Sequence, residues 1–176
     1  MAIGLGSNLG NREGFLRKAI AAMAPYLRQL RSSPFYESSP VPVLPPQPDF
    51  LNAVIAGRTR LSAPALLTLL RKSETAAGRR RIRAAKNGPR PLDLDLLLYG
   101  SSRIATRTLT VPHPRMATRL FVLVPLADVA PRRVVPGTGK TVARLLAEAQ
   151  SESHEAVRPW QPRRRPSRSG ARSRKE

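Results

Sequence analysis

The chain has 176 residues, of which 41% are hydrophobic, so the sequence predicts one domain with a core of ordinary size. It contains no cysteine and two histidines, which excludes a disulfide framework, a thiolate nucleophile and a multi-histidine zinc centre. The net charge of +20 favours polyanionic partners, either nucleic acid or a small phosphate-rich substrate, although arginine-rich codon usage would explain part of it. With no apolar run long enough to span a membrane and no signal peptide, the expected location is cytoplasmic.

The first half of the chain reads as alternating strands and helices. Hydrophobic periodicity predicts strands at 2–5, 29–36 and 50–60, and helices at 12–27 and 62–77. Asn8 or Asn11 is a candidate cap for the first helix, after a tight glycine loop. A loop with five prolines, residues 37–49, is predicted to be irregular but stiff. Loops of this length in compact domains are often functional lids.

The stretch from Asn87 to Tyr99 is the most informative part of the sequence. Alternate residues of a strand share a face, so Leu92, Leu94, Leu96 and Leu98 form a predicted core face. Asp93 and Asp95 share the opposite face, where two adjacent carboxylates repel each other unless a cation joins them. Oxygen ligands favour Mg²⁺. The alternative is an exposed strand end with two solvated acids.

A basic loop, residues 78–86, precedes this strand and could neutralise a polyphosphate, or could simply be solvated. After the strand, the sequence predicts a small hairpin (103–104 with 109–110), a helix within 117–129 and a last helix at 142–149. Residues 136–141 resemble the end of a phosphate-binding Walker loop, but Val134 replaces the required glycine. We therefore interpret them as a turn that caps the last helix.

From Ser151 the chain is rich in proline, serine and arginine. Residues 151–176 include eight basic and three acidic residues, so most of the net charge lies in the preceding body. Such a composition cannot bury a core of its own. The expectation is a body of residues 1–150 and a disordered tail, dispensable for catalysis, in which Trp160 could dock locally.

The order of elements suits an α+β, ferredoxin-like α/β sandwich with helices packed on an antiparallel sheet. With this order, five segments together resemble the 6-hydroxymethyl-7,8-dihydropterin pyrophosphokinases of folate synthesis. The segments are Gly4–Gly10, Ser33–Glu37, Gln47–Asn52, Gly88–Asp95 and Val111–Met116. The resemblance covers roughly residues 2–148, and makes residues 1–150 a pyrophosphokinase domain.

The resemblance implies an enzyme that transfers pyrophosphate from ATP to the pterin hydroxymethyl group, using two Mg²⁺ ions. In that family pattern, Asp93 and Asp95 match the metal ligands. Positions that match contacts to ATP are Glu74, Arg83, Arg90, His113 and Arg119, the last four being catalytic candidates. Arg83 is the best match within a mobile catalytic loop of uncertain alignment.

The resemblance also implies a pterin site. Asn52 matches a residue that binds the pterin edge, and Phe50 and Phe121 match two rings that sandwich it. Ser38 and the backbone near Val41 match a contacting loop. Without the resemblance, both phenylalanines would be interpreted as core residues.

The expected partners are small molecules only, with no membrane, no specific nucleic acid and a monomeric state. The rival hypothesis is a basic RNA-binding module, because RNA-recognition domains share the ferredoxin-like layout. Such a module needs aromatic side chains on its exposed sheet face, where this sequence places Asp93 and Asp95.

Overall fold

The computed structural model describes residues 1–40, 46–79, 88–153 and 155–162, and these form eight strands and four α-helices. In chain order they are β1 (Ala2–Ser7), α1 (Arg12–Met23), β2 (Arg28–Ser32), β3 (Tyr36–Ser38), β4 (Phe50–Arg58), α2 (Ala63–Ala76), β5 (Asp93–Leu98), β6 (Ile104–Ala105), β7 (Thr110–Val111), α3 (Leu120–Val129), α4 (Val142–Glu152) and β8 (Val157–Pro159). Within these ranges, no helix combines the length and apolar character needed to cross a membrane.

The main sheet has the order β5-β1-β4-β3-β8, with β2 also paired to β4. Every pairing in it is antiparallel. β6 and β7 form a separate hairpin, shifted by one residue from the predicted one. The α+β prediction of an antiparallel sheet with packed helices is therefore confirmed.

The sheet separates two hydrophobic clusters, because successive strand residues point to opposite faces. On one face, Ile3, Leu51 and Leu94 pack with residues of α1 and α2. On the other face, Val54 and Leu97 pack with residues of α3 and α4. The candidate site residues of the sheet lie on this second face, beyond the part that α3 covers.

The predicted second strand is in fact two strands, β2 and β3, separated at Pro34. Ser33 still bonds to β4, since its N–H donates to the Val54 carbonyl at 2.9 Å and its Oγ accepts from the Val54 N–H at 3.0 Å. Pro34 has no N–H to continue this ladder. The break lets β3 pair with a separate part of β4, Phe50 to Asn52.

The predicted cap of the last helix is confirmed. Thr141 Oγ1 accepts the N–H of Arg144 at 3.2 Å, which closes the first turn of α4. Gly137 and Gly139 in the preceding turn have φ of 84° and 68°, which suits glycine.

The prediction of disorder from Ser151 is wrong for the described part of the tail. α4 continues to Glu152, and β8 pairs with β3 in the register Ser38 to Val157. Trp160 packs against Phe35 with ring centroids 5.9 Å apart, and the backbone N–H of Trp160 donates to the backbone carbonyl of Phe35 at 2.9 Å. Residues 163–176 lie outside the described residues.

Candidate functional site

Three strands place the polar residues of the site in two rows. Gly6 of β1 pairs with Asn52 on one side and Asp93 on the other. Gly4 pairs in the same way with Val54 and Asp95. The two aspartates of β5 therefore share one face, as predicted. Gly4 and Gly6 of β1 lie between these aspartates and the residues of β4.

Gly6 keeps the floor between the two outer strands open. A Cβ at this position would lie 3.5 Å from Asn52 Oδ1, 3.8 Å from Phe50 Cδ1 and 3.9 Å from Asp93 Cβ. A larger side chain would therefore occupy the space between the amide and the carboxylate.

A cavity of about 690 Å³ opens above this floor. Its lining includes Gly4, Gly6, Ser38, Phe50, Asn52, Arg79, Arg90, Asp93, Asp95, His113, Arg115, Arg119 and Phe121. This volume is in the range of small-molecule sites, and the lining combines apolar rings with a few convergent polar groups.

Arginines surround the acidic pair. Arg90 Nε lies 3.2 Å from Asp93 Oδ2, and Arg79 Nη1 contacts both Asp93 and Glu74. Glu74 is 1% exposed and also accepts the Leu94 N–H at 2.9 Å, so it joins α2 to β5. Glu74 is not among the described residues that line the cavity, but it contacts Arg79, which does line it.

The environment of Asp95 disfavours its ionised form. Burial and the charge of Asp93 raise its pKa to about 6, against the opposing effect of Arg79, Arg90 and Arg119. A group with this environment gains from an additional cation, because a positive charge would stabilise the ionised form. Within the described residues, no cluster of three or more histidine, cysteine, aspartate or glutamate side chains forms a metal cage.

His113 lies at the basic end of the cavity. Burial, then Arg119 and Arg115, lowers its pKa, so the imidazole is favoured over imidazolium. Its Nδ1 accepts the Arg115 N–H at 3.3 Å. The neutral ring therefore carries its proton on Nε2, which leaves that atom as a donor for an anionic ligand.

The opposite end of the cavity is suited to a flat ring. Asn52 Nδ2 donates to Ser38 Oγ at 2.9 Å, which fixes the buried amide. The Arg90 guanidinium lies 5.5 Å from the Phe50 ring centroid, and that of Arg119 lies 5.3 Å from the Phe121 centroid. Each of the two rings thus has a guanidinium beside it. Both phenylalanines are half-buried, so part of each side chain remains accessible.

Asn8 connects the two ends and was not identified as a site residue from the sequence. Its Nδ2 donates to Gln47 Oε1 at 3.1 Å and to the Pro48 carbonyl at 3.3 Å, while its Oδ1 accepts the Arg90 N–H at 2.7 Å. The helix-capping role expected of Asn8 or Asn11 belongs to Asn11, which accepts from Gly14. The near-complete burial of Asn8 had no local signal in the sequence.

The structure brings most of the predicted site residues to one cavity. These are Ser38, Phe50, Asn52, Arg90, Asp93, Asp95, His113, Arg119 and Phe121. Val41 and Arg83 lie outside the described residues. Arg79 and Arg115 lie within the predicted basic loop and the Val111–Met116 segment, where a pattern of charges does not distinguish them from neighbouring arginines.

Comparisons with known proteins agree with this geometry. The model of the family described as 7,8-dihydro-6-hydroxymethylpterin-pyrophosphokinase (HPPK) matches residues 2–131. The 2-amino-4-hydroxy-6-hydroxymethyldihydropteridine pyrophosphokinase of Synechocystis is 42% identical over 159 residues, covering 89% of this chain and 80% of the relative. The Bacillus subtilis protein of the same name is 38% identical, covering 90% and 88%.

Solved structures support the fold alone, because their sequence identity is low. A crystal structure of an HPPK-DHPS protein in complex with substrates has a TM-score of 0.69 at 12% identity, covering 86% of this chain and 43% of that one. The wild-type HPPK-DHPS of Plasmodium falciparum has a TM-score of 0.63 at 14% identity, with the same coverage. This chain thus spans less than half of those fusion proteins, while it spans most of the bacterial relatives. The chain belongs to the 7,8-dihydro-6-hydroxymethylpterin-pyrophosphokinase family, whose members are ATP-dependent enzymes.

Proposed function

We propose that this protein transfers the pyrophosphoryl group of ATP to the hydroxymethyl oxygen of 6-hydroxymethyl-7,8-dihydropterin, with Mg²⁺, releasing AMP in folate synthesis. The observation that carries the proposal is one cavity that combines two chemically different groups of residues. Two carboxylates form one group, and a fixed amide with two half-exposed phenyl rings forms the other. Arg90 and Arg119 lie beside both groups. The bacterial relatives carry the name of this pyrophosphokinase.

The transfer requires positioning and charge neutralisation rather than a protein nucleophile. The pterin hydroxymethyl oxygen forms a bond to the β-phosphorus of ATP, and the bond from that phosphorus to the oxygen of the α-phosphate breaks. The hydroxyl proton is lost and AMP leaves. A site of this kind needs cations around the phosphates and a firm hold on the acceptor ring.

The residues present fit Mg²⁺. Asp93 and Asp95 offer only oxygen ligands, and Asp95 is disfavoured as an anion until a cation compensates it. These two carboxylates would hold two Mg²⁺ ions, with phosphate oxygens and water completing the coordination. Bound there, Mg²⁺ would neutralise charge on the transferred phosphates.

The basic residues would hold ATP at the same end. Arg90 and Arg119 supply fixed positive charge beside the carboxylates, and His113 supplies the neutral Nε2 donor. Arg83 of the basic loop would add a further cation at the transferred group. Glu74 would act indirectly, by holding Arg79 against Asp93.

The apolar end would hold the pterin. Phe50 and Phe121 offer ring faces for stacking, and Asn52, whose amide is fixed, lines the same cavity. Ser38 orients that amide. Val41 would contribute through its backbone.

The direct test is AMP release from ATP, measured with and without the hydroxymethyl-dihydropterin, in Mg²⁺ and again in EDTA. We expect release that needs both the pterin and the metal. Arg119→Ala should abolish most of it, while the exposed Arg144→Ala on α4 serves as the matched control. AMP release that ignores the pterin, or ATP binding that ignores Mg²⁺, would overturn the proposal. An RNA-binding protein would retain RNA and release no pterin-dependent AMP.

A further inference from the structure

The start of α3 has no cap in its own sequence. Arg119 occupies the N-cap position and makes no side-chain capping hydrogen bond. The first turn of a helix leaves backbone N–H groups that need an acceptor. In this helix the acceptor comes from residue 155, since Glu155 Oε2 accepts the Leu120 N–H at 3.0 Å.

This helix end also carries two residues of the proposed site. Arg119 and Phe121 flank Leu120, and both line the cavity. The guanidinium of Arg119 lies 5.3 Å from the Phe121 ring centroid. A carboxylate at this position therefore holds the backbone that places Arg119 beside the Phe121 ring. Its negative charge also interacts favourably with the positive end of the helix dipole at the N-terminus of α3.

The segment that carries Glu155 is anchored without it. β8 pairs with β3, Arg158 Nη2 donates to Asp49 Oδ2 at 3.2 Å, and the Trp160 N–H donates to the Phe35 carbonyl. Removal of the Glu155 carboxylate should therefore leave the segment in place. The effect of the cap can then be separated from the effect of losing the strand.

We propose that Glu155 is a positioning residue of the site, which fixes the first turn of α3 and with it Arg119 and Phe121. The inference rests on the proposed pyrophosphokinase function, because its consequence is the binding of the pterin. It gives the C-terminal segment a part in substrate binding, although none of residues 155–162, the part of it that the structure describes, lines the cavity.

The experiment compares Glu155→Ala, Glu155→Gln and Glu155→Asp in the full chain, with the exposed Glu152→Ala at the end of α4 as the matched control. We measure kcat and the KM for pterin and for ATP. We also measure Trp160 emission, and amide hydrogen exchange at Leu120 in the free protein. Since the charge-assisted hydrogen bonding of Glu155 to the first turn of α3 is lost, Glu155→Ala should raise the pterin KM about tenfold.

The variants separate the hydrogen bond from the charge. Glu155→Gln keeps an acceptor oxygen at the same reach, so it should restore the pterin KM to within about twofold. Glu155→Asp keeps the charge but is one methylene group shorter, so it should behave like alanine, and it replaces the alanine variant if that variant fails to fold. Leu120 exchange should rise in the Ala and Asp variants, with Trp160 emission unchanged.

Three results would overturn the inference. The first is an unchanged pterin KM in Glu155→Ala, and the second is an unchanged amide exchange at Leu120. The third is a loss of Trp160 emission together with a lower kcat and equally raised KM values for pterin and ATP. The last result would mean that Glu155 only holds the segment. Wild-type protein without pterin-dependent AMP release would instead overturn the proposed function, and the role of Glu155 within it.

Discussion

Replacing Asp95 by asparagine should stabilise the metal-free protein at neutral pH while it destroys activity. The folded protein raises the pKa of Asp95 from 3.8 to about 6. Asp95 therefore binds its proton more tightly in the folded state than in the unfolded state. Between pH 4 and pH 6, this carboxyl group is more protonated in the folded protein than in the unfolded chain. Stability from this group is present below pH 4, and it is lost as the pH rises towards 6.

The magnitude follows from the shift. A difference of about two pKa units corresponds to about 3 kcal/mol. This is an upper limit, because part of the shift comes from the neighbouring charge of Asp93 rather than from the burial of Asp95 alone. Asp95→Asn should therefore raise the free energy of unfolding by up to about 3 kcal/mol at pH 7 and by almost nothing at pH 4.

The assay is urea unfolding in EDTA at several pH values between 4 and 8. Asp128→Asn is the control, because this exposed aspartate of α3 lies away from the acidic pair, and it should show no such trend. Addition of MgATP should then stabilise the wild type far more than Asp95→Asn. A variant that is less stable than the wild type at pH 7 in EDTA, or one with near-normal turnover, would refute the reasoning about the acidic pair.

Gly6→Val should raise the KM for pterin and ATP with little loss of stability, because its side chain would fill the cavity floor; unchanged kinetics would contradict that geometry. Arg79→Ala should lower the free energy of unfolding by about 1–3 kcal/mol, because two acids lose a charged partner, and urea unfolding measures this. Arg83→Ala should lower kcat more than it weakens ATP binding, and equal losses would reduce the basic loop to a binding patch. Truncation after Pro162 should preserve pterin-dependent AMP release, whereas truncation after Gln150 should reduce it and lower the melting temperature, because β8 is removed.

Local patterns were sufficient to predict the central strand of the site. Alternation along β5 assigned the leucines to a core and the aspartates to the opposite face, since the period of a strand is fixed by its backbone. The exception is Leu98, which is buried with Leu97 in the cluster beneath α3. The cause is an irregularity in the pairing with β1: Ile3 pairs with Leu96 but Ala2 pairs with Leu98, so Leu97 is an extra residue in β5 at this point.

Contacts between distant segments could not be predicted in the same way. In the sequence, Asn8 is a candidate helix cap, and Glu74 matches a position that contacts ATP. Each is buried because its partner comes from elsewhere: Arg90 for Asn8, and Arg79 and the Leu94 N–H for Glu74. Side chains of this kind acquire their role only when the sheet has aligned the segments.

The C-terminal segment shows how few apolar residues are needed to order a chain on an existing fold. Composition predicted disorder because the segment cannot build a core of its own. It does not have to, since Val157 packs against one hydrophobic cluster and Trp160 against the other. The backbone of β3 supplies the ladder, and Pro159 is tolerated because β8 is an edge strand. Once the segment is docked, the carboxylate of Glu155 reaches the start of α3, so order in the tail and geometry in the cavity become linked.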